Sequence, residues 1–546
     1  MTLNNKKMYK LPTFNDIFKE KLTENHKRLC DFFTTFPLQN TKEDYIFQKN
    51  TPGCIISLRQ KHFSRGTVRI TQPGVYILEE DIVFNPNPEN DFQPLEEDSG
   101  SAGMYPTKRG APYHLGFFAA ITIECKEGVI LDLNNKKISQ SDLHNIQQRF
   151  YAHIELASSP FIPKQGPVKE GFSDPSSFKS GENVLIKNGT LGKTSHHGIH
   201  GNSNKNVIIQ KLIFKDFEVA SIALNGSINT IVENIIVENS STDVKVLSTY
   251  SQARFIRSFL YHLQSKHPNA HFNGKSIQVI IENLLNDLEL AKNAVLNNQK
   301  LDHYFINPLP NSGYDGNVYG MVFHTNGVVI NDFLGERDEN GGNENILLEN
   351  IKISNIISRP TEIVALNAHP NNGKAYGGSR QVGCVGDVLE IKHILNNNKY
   401  KGNSLSDAQL ILCKYKQIDP TLKTGTLNIH QGIVEWAESS KNIHFTMNKH
   451  NFYFVYGGDS MGHIMKGNIG LFLSGVKNAA INNIIVENVI CKKNNITLSK
   501  NKHINGASAY GILKTACSNI CVNNIEIGNI KSENKNTQSC DFFTLL

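Results

Sequence analysis

The sequence predicts a right-handed parallel β-helix. Three observations predict it: a recurring seven-residue phrase, a constant spacing between its first copies, and alternation of aliphatic residues inside each copy. The phrase runs Asn, two variable residues, an aliphatic residue, one variable residue, Asn or Lys, then an aliphatic residue or Gly. It occurs as NVLIKNG from Asn183, NVIIQKL from Asn206, NTIVENI from Asn229, NILLENI from Asn345, NAAINNI from Asn478 and NICVNNI from Asn519. The first three copies begin 23 residues apart, so the chain returns to an equivalent place once per turn of a solenoid. Looser copies, GVILDLN from Gly128 and GVVINDF from Gly327, extend the series.

Within a copy, Val207 and Ile209 alternate with their neighbours, and Leu212 and Phe214 do so again after a short corner. Period-two alternation puts one set inside and the other outside. Strands this short cannot bury a face alone, but coils stacked about 4.8 Å apart join their inner rows into one core. Asn234, Asn350, Asn483 and Asn524 recur at one corner, where side-chain amides can bond from coil to coil and Asn tolerates the left-handed backbone. Leucine-rich repeats would need regularly spaced Leu and a helix per repeat, and neither is present.

The repeat divides the chain. Residues 1–65 lack it and read as an N-terminal cap, partly helical from the spacing of Ile17, Phe18, Leu22, Leu29, Phe32 and Phe33. Residues 66–242 read as the first β-helix part, with a Pro-, Gly- and acid-rich surface loop at 84–116. Residues 243–319 read as a mainly helical insertion: Ile277, Ile280, Ile281, Leu284, Leu288, Ala291 and Val295 recur at three- and four-residue steps. The β-helix continues over 320–369, a second insertion follows at 370–424, and C-terminal coils and a tail occupy 425–546. Insertions in solenoids gather on one face, where they wall a groove or cover apolar surface.

Hydrophobic residues make up 39 % and charged residues 19 % of the chain, a globular rather than a disordered balance. The formal charge of +6 is not concentrated in any basic stretch, so nucleic acid is not an expected partner. No run reaches the roughly 18 apolar residues of a membrane span, and the amino terminus carries no signal-peptide core. The nine cysteines are odd in number and scattered, as expected of reduced, buried thiols. Together these features favour an intracellular or virion-associated protein.

The segments GTVRITQPGVYILEEDIVF and ITIECKEGVILDLNNKKIS, with the Asn phrases, resemble the pectin-lyase-like right-handed β-helix superfamily. The chain also resembles uncharacterised β-helix proteins of large DNA viruses and microalgae. The resemblance covers about residues 66–240 and 320–530. It implies a polysaccharide or glycan-surface partner, and either a monomer or a homotrimer.

The densest ionisable cluster is SHHGIHG, with His196, His197 and His200. With Ile199 inward, His200 and Gly198 are expected to face outward, and an exposed His between glycines suits a groove floor and proton transfer. GIHG is similar to the Gly-His-Gly element of polygalacturonase-type hydrolases, with one residue inserted. The Asp-Asp doublet of that pattern is missing, and Ser241, Thr242 and Asp243 stand after the His rather than before it. Hydrolysis needs two carboxyls flanking the bond. Lyase members use Lys or Arg as base, often with Ca²⁺. No other cofactor and no metal-ligand set is expected.

Asp332 and His324 share a coil and join the three histidines as candidate catalytic groups. RFYAHIE, with Arg149, Tyr151, His153 and Glu155, alternates polar with apolar as a displayed strip would. With Arg254, Arg337 and Lys466, the residues Arg149, Tyr151 and His153 are the candidate substrate contacts. Two functions fit: binding, with or without cleavage or epimerisation, of an extended polysaccharide, or a non-enzymatic structural or adhesive role such as a virion-surface fibre.

Overall fold

The computed structural model describes residues 54–64, 66–86, 117–148, 151–160, 178–239, 318–324, 342–358, 467–491, 508–533 and 539–545. It also describes strand segments at 39–42, 271–272, 275–276, 362–368, 381–385, 441–447, 450–456 and 495–498, and single helical positions between 278 and 297.

Two parallel sheets build the stack. The 11-stranded sheet runs in chain order through Gln39–Lys42, Cys54–Leu58, Gly74–Leu78, Val129–Gln140, Glu182–Leu191, Lys205–Lys215, Ile228–Glu238, Asn343–Ser358, Val476–Cys491 and Ser518–Ser532, with Ile82–Phe84 also beside Val129–Gln140. The 9-stranded sheet runs through Val68–Ile70, Ala119–Ile123, Ala152–Glu155, His197–Asn202, Ala220–Asn225, Val318–His324, Gly467–Ser474, Ser508–Thr515 and Ser539–Leu545. Neighbours in space follow one another in sequence, which is the topology of a solenoid. The Asn phrases lie over one another as expected: Val184, Val207, Thr230, Ile346, Ala479 and Ile520 share one register column.

The corners explain the Asn. Asn183, Asn206, Asn229, Asn345, Asn478 and Asn519 all have φ between 54° and 60°, a left-handed backbone that Asn adopts at low cost. Each amide then bonds the coil before it, Asn206 Nδ2 to Asn183 Oδ1 at 2.9 Å and Asn229 Nδ2 to Asn206 Oδ1 at 3.0 Å. The ladder continues through Asn345, Asn478 and Asn519. The corner expected to carry a ladder does so at Asn234, Asn350 and Asn483, and a third runs through Asn355, Asn488 and Asn529. Between corners, Val207, Ile209, Leu212 and Phe214 are buried with their counterparts in one core. Each such side chain contributes roughly 1.5–3 kcal/mol on burial.

The stack begins earlier than residue 66, since Cys54–Leu58 pairs with Gly74–Leu78 inside the segment read as a cap; the residues expected to form its helix lie outside the described ones. The second excursion is also longer than 370–424. Asn343–Ser358 pairs directly onto Val476–Cys491, and the coils resume at Gly467. Glu362–Ala368, Gln381–Val385, Lys441–Met447, His450–Tyr456 and Asn495–Leu498 form a separate 5-stranded sheet. The alternation in KNIHFTM and HNFYFVY does signal strands, but a two-residue connection turns them into an antiparallel hairpin. Such a hairpin cannot supply the parallel crossover of a coil. In the first excursion Gln278, Val279, Glu282, Glu289, Asn293 and Leu296 are helical. Gln278 bonds Glu282 at 2.7 Å, one helical turn on. No helix among the described residues is long and apolar enough to cross a membrane.

Candidate active site

The 9-stranded sheet does not keep a strict alternation, and this decides where its polar residues point. Ala220, Tyr319, Ile469 and Tyr510 form an outer apolar row with Ala223, Val322, Phe472 and Leu513, three residues further on. Of the two residues between, Ile222, Met321, Leu471 and Ile512 belong to the core. The other is Ser221 or a glycine, and it faces the core as well. A Cβ on Gly198 would reach Phe214 Cδ1 at 2.6 Å, and one on Gly511 would reach Ile527 Cγ2 at 2.6 Å. Two consecutive residues therefore point inward and the pair flanking them points outward.

On this register Ala152, His197 and Ala220 form one outward column and Thr122, Glu155, His200 and Ala223 the next. His200 occupies its expected outward position but is only 7 % exposed, so the expectation of an exposed groove-floor His is corrected. Gly198 points inward, not outward. His153 takes the register position of Gly198 and also turns inward, accepting from Tyr151 Oη at Nδ1 (3.0 Å) and facing the Gly192 carbonyl through Nε2 (3.1 Å). Tyr151 packs on Phe84 and His144 in the core. Neither Tyr151 nor His153 is a displayed substrate contact; the break in alternation is the reason. Arg149, Arg254, Asp332, Arg337 and Lys466 lie outside the described residues.

What the fold does bring together is a polar line across adjoining coils. His200 Nδ1 and Glu155 Oε2 share a hydrogen bond of 2.7 Å. His200 Nε2 accepts from Asn225 Nδ2 at 3.3 Å, and Asn225 Nδ2 also donates to Asn202 Oδ1 at 2.9 Å. Asn202 Nδ2 in turn donates to the Pro160 carbonyl at 3.0 Å. His197 stacks on His200 with ring centroids 5.0 Å apart, and His196 meets His197 edge-on at 4.0 Å. His324 lies beside Asn225 in the next coil and against Phe472. Of the five candidate catalytic residues, the structure thus gathers His196, His197, His200 and His324.

Glu155 is the group that the sequence reading left without a role. Burial raises its carboxyl to about 7, against the opposing pull of His200. Its Oε1 is buried with no hydrogen-bond partner. The coil before holds a second carboxylate, Glu124, but Arg69 engages it at 2.6 and 2.7 Å and Thr122 donates to it as well. The outer face therefore changes character along the stack, from Arg69, Glu124, Glu155 and His200 in the earlier coils to Val322, Phe472 and Leu513 in the later ones. Cys125 and Cys517 are free thiols. No group of three or more His, Cys, Asp or Glu able to hold a metal occurs among the described residues.

No family model matches the chain, and no curated protein matches it either. Among solved structures it is similar to a 1,3-alpha-1,4-beta-D-galactose-4-sulfate-3,6-anhydro-D-galactose-2-sulfate 4 galactohydrolase, at 9 % identity and a TM-score of 0.30 over 91 % of this chain and 83 % of that one. It is similar to PfbA, a surface adhesin of Streptococcus pneumoniae, at 10 % identity and 0.25, over 92 % and 74 %. A hyperthermoactive exopolygalacturonase from Thermotoga maritima aligns at 9 % identity and 0.22, over 96 % and 87 %. At these scores the likenesses carry no argument of their own, and the strand register decides. The chain has the right-handed parallel β-helix fold. In this β-helix the Glu155–His200 contact joins two consecutive coils of one sheet, so its geometry is set by the pitch of the stack itself.

Proposed function

We propose that this β-helix protein binds a glycan along the outer face of its 9-stranded sheet, with His200 as a general base on the bound polymer and Glu155 as its orienting partner. The observation that carries the reading is the 2.7 Å contact between Glu155 Oε2 and His200 Nδ1 on a largely buried outward face. A carboxylate on Nδ1 directs the lone pair of a neutral imidazole to Nε2, where Asn225 Nδ2 donates at 3.3 Å; a ligand proton that displaces this long bond meets the lone pair a proton-abstracting base needs. Asn225 and His324, both half-buried beside it, are placed to meet a ligand edge. Hydrolysis by two flanking carboxyls is less well supported, because Glu124 is engaged by Arg69 and Glu155 by His200. Elimination or epimerisation, which begins with loss of a proton next to a carboxyl group, fits a single His base better.

A second reading is a non-enzymatic adhesive rod. The near-complete burial of Glu155 and the amide ladders along the corners favour it. One experiment separates the two. The purified protein is incubated with neutral and uronic-acid polysaccharides while reducing ends and the absorbance of unsaturated products are followed. Activity that vanishes in His200→Ala and falls in Glu155→Gln supports the base. Glycan binding without turnover, unchanged in His200→Ala, overturns it in favour of the rod.

A further inference from the structure

Asn202 and Asn225 stand 23 residues apart, one coil step, and their side chains bond along the outer face of the 9-stranded sheet. Like the first corner ladder, which ends where Asn183 Nδ2 donates to the Lys126 carbonyl, this pair ends on a group that can only accept. The Pro160 carbonyl takes a hydrogen bond from Asn202 Nδ2, and a carbonyl carries no proton to return. Asn202 must therefore turn its Oδ1 toward Asn225, and Asn225 must answer with Nδ2. That same Nδ2 faces His200 Nε2, which must present a lone pair. The remaining ring proton then sits on Nδ1, against Glu155. Orientations of amides and imidazoles are settled by the network they join, and here every choice follows from one backbone carbonyl.

With both protons of Nδ2 committed, the group that Asn225 has left to offer is its Oδ1. We propose that Asn225 is the specificity-determining residue of this face: its Oδ1 accepts a hydrogen bond from an uncharged hydroxyl of the ligand, and the Pro160–Asn202 relay holds it in that orientation. The assignment rests on the glycan-binding reading of the same face and adds which polarity the face reads. Ligand groups that donate are selected, and groups that can only accept, such as a carboxylate or sulfate oxygen, are turned away from this position. Among the described residues, the titratable groups facing His200 are Glu155 from the coil before and His197 on its own strand. The coil after contributes Ala223 and Asn225, which carry no charge.

The test has two independent readouts. The first is the tautomer of His200 by nitrogen-15 NMR of the full-length protein between pH 7 and 8. A proton on Nδ1 is expected in the wild type, and Asn225→Asp, whose carboxylate cannot donate to Nε2, should populate the tautomer with the proton on Nε2. A wild-type His200 protonated on Nε2 overturns the relay. The second is binding to an array of neutral and uronate oligosaccharides. Asn225→Ala should lose about tenfold, the worth of one hydrogen bond left unmade, while Asn225→Asp, still an acceptor but without the Nδ2 that the relay holds, should lose less. Equal loss in both variants overturns the assigned polarity. If the wild type binds no glycan while the tautomer is as expected, the ligand assignment and the glycan reading fail together and the relay alone stands.

Discussion

Glu155 Oε2 and His200 Nδ1 lie 2.7 Å apart across two adjoining coils, 45 residues apart in the chain. A carboxyl that burial has raised to about 7 from an ordinary 4.5 binds its proton more tightly folded than unfolded. Its stabilising contribution is therefore complete below about pH 4.5 and is lost as pH rises through 7. The loss is on the order of 3 kcal/mol. The difference in urea midpoint between the wild type and Glu155→Gln should carry this downward slope between about pH 4.5 and 7. An identical slope in the variant would place the titration elsewhere.

The buried His153 acts in the opposite sense. Its burial lowers the imidazole to about 4 from 6.5, so the neutral ring stabilises the fold fully above about pH 6.5. That contribution is lost as pH falls from 6.5 through 4. It too amounts to on the order of 3 kcal/mol. His153→Gln keeps a polar side chain in the slot beside Tyr151 and Gly192 without a proton to gain. The variant should show less acid sensitivity between pH 6.5 and 4 by urea denaturation; a curve as steep as the wild type's would contradict this.

Asn206 makes two ladder bonds, to Asn183 and from Asn229, at φ 57°. Asn206→Ala removes both and forces a Cβ residue without a polar side chain into the left-handed region, at a cost of about 2–4 kcal/mol. Asn206→Gly keeps the backbone freedom and should cost less. At the end of the ladder Asn519 makes a single bond, to Asn478, on the same left-handed backbone, and Asn519→Ala should cost less than Asn206→Ala. Denaturation midpoints that reverse this order would show that the amides do not bond as a ladder.

Glycines differ just as sharply. A Cβ on Gly470 would sit 2.5 Å from the Gly511 carbonyl oxygen and press on Val486, whereas nothing lies within 4 Å of one on Gly528. Gly470→Ala should cost about 3 kcal/mol or more by overpacking the core, or abolish soluble expression. Gly528→Ala should be neutral or stabilising by a few tenths of a kcal/mol. Equal stability of the two variants in thermal melts would refute the inward direction of Gly470.

The stacking was legible because its cause is local. A left-handed corner needs Asn, and the corner recurs at every coil, so Asn183, Asn206 and Asn229 announce the 23-residue step directly. The outer site was less legible because two consecutive inward residues break the period-two rule. Counting alternately from Ile154 sends His153 out; the structure sends it in. The glycines at 198, 320, 470 and 511 were the available signal, since a smallest residue at a fixed place in each strand marks a crowded position. Asn202 and Asn225 stand outside the seven-residue phrase, so the repeat gave them no role. Their relation to His200, two and 25 residues on, is what sets them apart. The end of the second excursion was not legible because the strands Lys441–Met447 and His450–Tyr456 alternate as coil strands do, and alternation reports a strand without reporting its direction.

The ladder bonds span very unequal lengths of chain. Asn183, Asn206 and Asn229 are linked over 23 residues each, whereas Asn229 and Asn345 are linked over 116 and Asn345 and Asn478 over 133. Closing a 133-residue loop costs about 1.6 kcal/mol more entropy than closing one of 23. Glu182 to Glu238 is therefore the cheapest place for winding to start, and growth from it slows at each long junction before it can zip onward. The order in which this rod is assembled is written in the spacing of its asparagines.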